Sequence, residues 1–173
     1  AYSLLRKGGT IELGEGVFYV ELEINKSVVI KGAGVGVTII ESRTVNGSGL
    51  NFFHPKKDSK VSHLSLRGFG SEAGKYPLIL LRGGRLDLSH VEISDSASHG
   101  MAVSGGLAKV EHCRLSGNHW DGLAVFGPSS SVHVKESSFQ GNADHGVDAW
   151  GGATALLESS VIEGNSKSGI VVS

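Results

Sequence analysis

GMAVSGGLAKVEHCRLSGNHWD, Gly100 to Asp121, is followed by GLAVFGPSSSVHVKESSFQGNADH, Gly122 to His145, and GVDAWGGATALLESSVIEGNSKS, Gly146 to Ser168; GIVVS, Gly169 to Ser173, begins the pattern again. The opening glycines lie 22, 24 and 23 residues apart. Self-similarity at a fixed period of this size is the signature of a solenoid. After each Gly come Met101 and Val103, Leu123 and Val125, Val147 and Ala149, Ile170 and Val172. That alternation with period two describes a strand with one buried face. A second strand carries Ala108 and Val110, Val132 and Val134, Ala155 and Leu157, and a third ends at Leu115, Phe139 and Ile162.

Three short strands in about 23 residues leave no room for crossover helices. Each repeat is therefore one coil, stacked on the next about 4.8 Å away. Equivalent side chains then form columns, apolar inside and laddered outside. Asn118, Asn142 and Asn165 each precede the next Gly by four residues. Asn tolerates left-handed backbone at a turn, and stacked amides can bond coil to coil, so an Asn ladder is expected. Earlier coils fit more loosely: Leu86, Leu88, Val91 and Ile93 match the inward set, with Ser96 in the Asn column and Pro77 in the Gly column. Val61, Leu64 and Leu66 match once more, and extra residues between Arg67 and Tyr76 predict a protruding loop. The reading is all-β, a parallel β-helix of about six to seven coils forming a single domain over 1–173, with 1–9 as a possible N-terminal cap. The C-terminal end reads as uncapped, to be covered by further coils, another domain or a second chain, because an open solenoid end is a sticky edge.

Composition agrees. Gly numbers 26 of 173 and Pro only three, a mixture of tight turns and short strands rather than a linker. Lys plus Arg total 16 against 17 Asp plus Glu, which gives no basic footprint for nucleic acid. No apolar run reaches the roughly 18 residues of a membrane span. The single Cys113 excludes an internal disulfide and leaves the compartment open: extracellular or periplasmic if the ligand is a glycan, cytoplasmic otherwise. A start at Ala1, without a signal-peptide pattern, reads as a processed or excised form.

These repeats resemble the right-handed parallel β-helix of the pectate-lyase-like superfamily. The stretch GGTIELGEGVFYVELEINKSVVIKGAGVGVTII, Gly8 to Ile40, is similar to that superfamily's first coils. The later G-hydrophobic-x-hydrophobic…GN repeats resemble those of carbohydrate-active enzymes, periplasmic maturation proteins and F-box adaptors. The resemblance implies the fold and, for function, a choice among lyases, epimerases, hydrolases, adhesins and adaptors.

Two chemistries follow. Phe126 and Trp150 occupy one outward column on adjacent coils, an aromatic strip suited to stacking on sugar rings, with His99, His119 and Trp120 in the neighbouring turns. That favours a binding or scaffold module that recognises a carbohydrate, or a protein. The alternative is a polysaccharide lyase, C5-epimerase or glycoside hydrolase using Asp144, His145, Asp148 and Asp121, with His145 as general base. No cofactor is expected for the first. A lyase would call for Ca²⁺ on Asp121, Asp144 and Asp148 if they converge, or for an Arg or Lys to neutralise the substrate carboxylate, and no Arg is expected in these columns. Epimerases of this fold carry Asp-Pro-His, whereas Asp144 and His145 are adjacent here. Asp and Asn before Gly are also ordinary turn residues.

The remaining polar columns read as structural. His63, His90 and His112, continued by Glu136 and Ser159, form a turn ladder whose side chains lie along one line and do not converge on a metal. Glu111, Lys135 and Glu158 alternate in sign, and Cys113 falls in an inward column with Val91 and Ser137. The run Gly32, Gly34, Gly36 sits between strands without a helix pattern, which argues against a phosphate loop.

Overall fold

The computed structural model describes residues 9–42, 47–53, 58–68 and 75–173. Among the described residues nineteen strands wind into seven rungs. The first is β1 (Gly9–Glu12), β2 (Gly16–Tyr19) and β3 (Leu22–Ile24); the second is β4 (Val28–Lys31), β5 (Thr38–Ser42) and β6 (Leu50–Phe52). The third is β7 (Ser59–Gly68), which bends to serve two faces, and β8 (Ile79–Leu81); the fourth repeats this as β9 (Arg85–Ser94) and β10 (Met101–Val103). The fifth is β11 (Gly106–Glu111), β12 (Arg114–Ser116) and β13 (Leu123–Phe126). The sixth is β14 (Ser130–Lys135), β15 (Ser138–Gln140) and β16 (Val147–Trp150), and the seventh β17 (Thr154–Glu158), β18 (Val161–Glu163) and β19 (Ile170–Val172). All pairings between rungs are parallel. Strands β1, β4, β11, β14 and β17 with the first parts of β7 and β9 make the first face, β2, β5, β12, β15 and β18 with the last parts of β7 and β9 the second, and β3, β6, β8, β10, β13, β16 and β19 the third. No helix occurs among the described residues, so none is long and apolar enough to cross a membrane.

The register is the one the repeat predicts. Leu123 pairs with Val147 and Val147 with Ile170; Ala108 pairs with Val132 and Val132 with Ala155. The inward columns make one continuous core from Ile24 to Ala149. The same column is dry in mid-stack and wet at its end: Val147 is fully buried, whereas Ile170 is 49% exposed on the seventh rung. Burial therefore comes from the neighbouring rung, as expected when no coil can cover its own apolar face.

The ribbon turns at two kinds of corner. Between the first and second faces, His63, His90, His112, Glu136 and Ser159 all have φ between 48° and 56°. One left-handed residue per rung breaks the alternation and redirects the strand. The histidine rings project outward and pile up, with His63 and His90 4.9 Å apart and 9° from parallel, and His90 and His112 4.9 Å apart at 32°.

Between the second and third faces, Asp95, Gly117, Gly141 and Gly164 hold the left-handed conformation. The Asn column expected to adopt it does not; Asn lies one residue later and acts by hydrogen bonding. Asn118 Nδ2 donates to Asn142 Oδ1 at 2.8 Å, and Asn142 Nδ2 to Asn165 Oδ1 at 2.9 Å. Each Oδ1 also accepts the backbone N–H of the rung before it, from Ser96, Asn118 and Asn142. The Gly that closes this turn is a matter of close approach: a Cβ on Gly122 would lie 2.8 Å from the Gly146 carbonyl and 2.9 Å from Asn142 Nδ2.

Several expectations need adjustment. Leu78, not Pro77, occupies the Gly column, because Leu50 and Met101 both pair with Ile79. Arg67 still belongs to β7 and ion-pairs with buried Glu41 at 2.9 Å, and residues 69–74 of the expected loop lie outside the described residues. Gly9 opens β1 instead of belonging to a cap, and residues 1–8 lie outside the described residues. Glu111, Lys135 and Glu158 do stack, yet the short ion pairs run from Lys109 to Glu111 and from His133 to Glu158. Cys113 is buried as expected, and burial pushes its thiol up to about 12.

Candidate functional site

On the third face the outward positions read Leu80, Ala102, Ala124 and Asp148 in one column and Arg82, Ser104, Phe126 and Trp150 in the next. Leu80, Ala102 and Ala124 are buried although they point away from the core, and Phe126 and Trp150 pack against them as a second apolar cluster. Arg82 overturns the expectation that these columns hold no arginine. It lies 22 residues before Ser104, and the N–H groups of both make the bond that ends their strands. Among the described residues Arg82 forms no ion pair.

The aromatic pair is not a flat strip. The rings of Phe126 and Trp150 are 5.1 Å apart and 17° from parallel. Two rings this close and this parallel must overlap face to face, since side by side they would collide. Each covers one face of the other and is half-buried. The uncovered face of Phe126 looks along the axis toward Ser104; that of Trp150 looks the opposite way. Beside Phe126 opens a trough of about 380 Å³, with buried Leu80 and Ala102 as its floor and Tyr76, Pro77, Ser104 and the polar Arg82, Lys75 and His99 among its lining residues. Trp150 does not line it.

The turns before the third face bring together His99, Asp121, Asp144 and His145, and the geometry shows how each is engaged. Asp121 is buried; its Oδ2 is 2.9 Å from His99 Nδ1 and its Oδ1 accepts the His145 backbone N–H at 2.9 Å. Burial alone would raise its carboxyl, but His99 and that N–H more than offset this and hold it below the ordinary range. His145 Nδ1 accepts the Ser168 N–H at 3.1 Å, which leaves the ring proton on Nε2, 3.2 Å from Asp144 Oδ1. Lys167 Nζ lies 2.7 Å from that same oxygen. A neutral imidazole so placed has no free lone pair, so the general-base role expected of His145 does not fit this arrangement.

Asp148 stands apart. Its Oδ1 is buried without a hydrogen-bond partner. Burial, then the Asp121 charge, raises its carboxyl above the ordinary range. Trp120 stands edge-on to His99, ring centres 4.9 Å apart, outside the aromatic stack, and His119 is exposed, joined to the turn through its backbone. The expected Ca²⁺ set of Asp121, Asp144 and Asp148 is not what converges: Asp121, Asp144 and His145 offer ligand atoms within 4.8 Å of one another. One imidazole and two carboxylates, one of them already facing an ammonium, do not make the oxygen cage that Ca²⁺ takes.

The sequence matches the family described as the right-handed beta helix region over residues 22–173. The chain belongs to this family. Among solved structures, this β-helix is similar to the A-module of a mannuronan C-5 epimerase from Azotobacter vinelandii, with 14% identity, 92% of this chain and 70% of that chain covered, and a TM-score of 0.36. No curated protein matches the β-helix sequence.

Proposed function

We propose that this β-helix is a carbohydrate-binding module, and that the trough beside Phe126 takes a sugar ring of an acidic glycan. The observation that carries the reading is the uncovered face of Phe126 above an apolar floor, with Arg82 in the lining. A pyranose presents C–H groups on one face and hydroxyls at its rim. It gains from an aromatic wall and a dry floor, and its orientation is fixed by a few polar groups. Arg82 can grip a sugar carboxylate in two-point fashion, and Lys75 adds a second cation. Trp150 buttresses Phe126 from behind.

The test is affinity electrophoresis through gels containing a uronate polymer or a neutral one. Retardation by the uronate gel is expected, weakened on the order of tenfold by Phe126→Ala or Arg82→Ala and less by Trp150→Ala. Equal mobility in both gels, or retention unchanged in Phe126→Ala, would remove the reading.

One observation favours a second reading, a lyase, epimerase or glycoside hydrolase. Asp148 has the profile of a proton donor: outward-facing, its carboxyl raised by burial, with Asp144 and Asp121 near enough to disfavour its charge. Under this reading Asp148 protonates the departing oxygen or the sugar carbon. New reducing or unsaturated ends in a uronate polymer, lost in Asp148→Asn, would establish it in place of simple binding.

A further inference from the structure

The imidazole ladder at the corner between the first and second faces ends abruptly. His112, His90 and His63 stack rung upon rung, but the next position in the column is Gly32, whose N–H bonds the Ser62 carbonyl. No side chain can stand there: a Cβ on Gly32 would lie 2.3 Å from the His63 carbonyl oxygen and 2.8 Å from Leu64 Cβ. In the first rung the same column holds Leu13, whose N–H bonds the Lys31 carbonyl, with Gly14 next to it. The side of the His63 ring turned away from His90 borders a hollow of about 600 Å³ whose other walls are Glu12, Leu13, Gly14, Lys31, Gly32 and Ala33. The Gly32 backbone is packed too closely for a side chain, so the next layer of the stack has to come from outside the chain, and the hollow beside His63 has room for one flat ring there. Glu12 and Lys31 are register partners on β1 and β4. They form no ion pair among the described residues, so the hollow offers one anion and one cation side by side.

We propose that this hollow binds a planar aromatic ring flanked by one cationic and one anionic group, the chemistry of a free aromatic amino acid. The ring continues the stack on His63, its ammonium faces Glu12 and its carboxylate faces Lys31. The left-handed backbone at His63, φ 56°, sets the angle at which its imidazole leaves the corner, as it does for His90, so the platform is formed before the ligand arrives. The site lies on a different face from the trough beside Phe126 and stands or falls independently of the glycan reading.

Titration of the full chain with L-tryptophan, followed by amide and imidazole NMR signals, tests it. Saturable shifts are expected at Gly14, Gly32, Ala33 and the His63 ring. Cyclohexylalanine, which keeps both charges without a flat ring, should bind weaker on the order of tenfold, as should indole, which keeps only the ring. His63→Asn tolerates the same backbone angle and removes the platform, so it should abolish the response. Lys31→Met should weaken L-tryptophan but not tryptamine, which lacks the carboxylate. Absence of shifts, equal response to cyclohexylalanine, or an undiminished response in His63→Asn would overturn the proposal. So would contacts between the Tyr2 and His63 rings in the free protein, which would place the chain's own N-terminal segment in the hollow.

Discussion

At the corner between the first and second faces the chain sets His63, His90, His112, Glu136 and Ser159 in left-handed backbone with their side chains in water. At the corner between the second and third faces it gives the left-handed angle to Asp95 or Gly and buries Ser96, Asn118 and Asn142 behind it. Both corners bend the ribbon once per rung and both hold buried backbone groups behind the bend: at the first, Ser137 Oγ accepts the Cys113 N–H, whereas at the second the side chains must both accept and donate from rung to rung. That requirement explains the composition. A wet corner accepts any residue that tolerates the angle, hence His, His, His, Glu, Ser. A dry corner needs a side chain with a donor and an acceptor at one tip, and Asn supplies both.

Asn142→Ala should break the dry corner and give the largest effect. It removes the acceptor for both the N–H and the Nδ2 of Asn118, and the donors that reach Asn165 Oδ1 and the Leu115 carbonyl. Each buried group left unpaired costs about 1–3 kcal/mol, so a total loss of about 3–5 kcal/mol is expected in urea unfolding. A loss below about 1 kcal/mol would mean that water replaces the ladder, and the distinction between the corners would fail.

Asp121 continues the dry corner toward the third face, and there the corner carries a charge. Its carboxyl titrates lower folded than unfolded. Its contribution is therefore complete above the ordinary carboxylate value of about 3.9 and is lost as pH falls through the lower folded value. Asp121→Asn keeps an acceptor for the His145 N–H but removes the charge beside His99. Stability should drop by about 1–2 kcal/mol at pH 6, with the gap between variant and parent closing in acid. A gap independent of pH would mean that shape alone matters at this position.

The solenoid was legible in the sequence because period-two burial and a 23-residue repeat coincide, and the columns Leu123, Val147, Ile170 and Asn118, Asn142, Asn165 follow from counting. What escaped depends on directions that spacing does not carry. The commitment of His145 Nδ1 to Ser168 rests on where one turn points its N–H, and the orientation of Phe126 and Trp150 on their ring torsions. Arg82 is a different case. The extra residues between Gly68 and Tyr76 break the period just ahead of it and hide its column, although a step of 22 back from Ser104 lands on it. The histidine corner also left a signal: Glu111 and His112 stand between inward Val110 and Cys113, two outward residues where alternation allows one.

The wet corner should barely respond to a change that would be severe elsewhere, and Glu136→Gly is the sharpest trial. Glu136 holds φ 49° with its side chain exposed. Glycine relieves the left-handed penalty, about 1 kcal/mol, while adding unfolded-chain entropy that costs about 0.4–1 kcal/mol. Lost contacts with His112 at 3.3 Å and Lys135 at 3.6 Å are exposed ion pairs of little weight. The terms nearly cancel, so unfolding midpoints should agree to within about 0.5 kcal/mol. Glu136→Val separates angle from chemistry: a β-branched residue resists left-handed backbone, so it should destabilise by at least about 1 kcal/mol although it removes the same carboxylate. If Glu136→Gly proved as costly as Glu136→Val, the side chain and not the backbone angle would be what this corner selects.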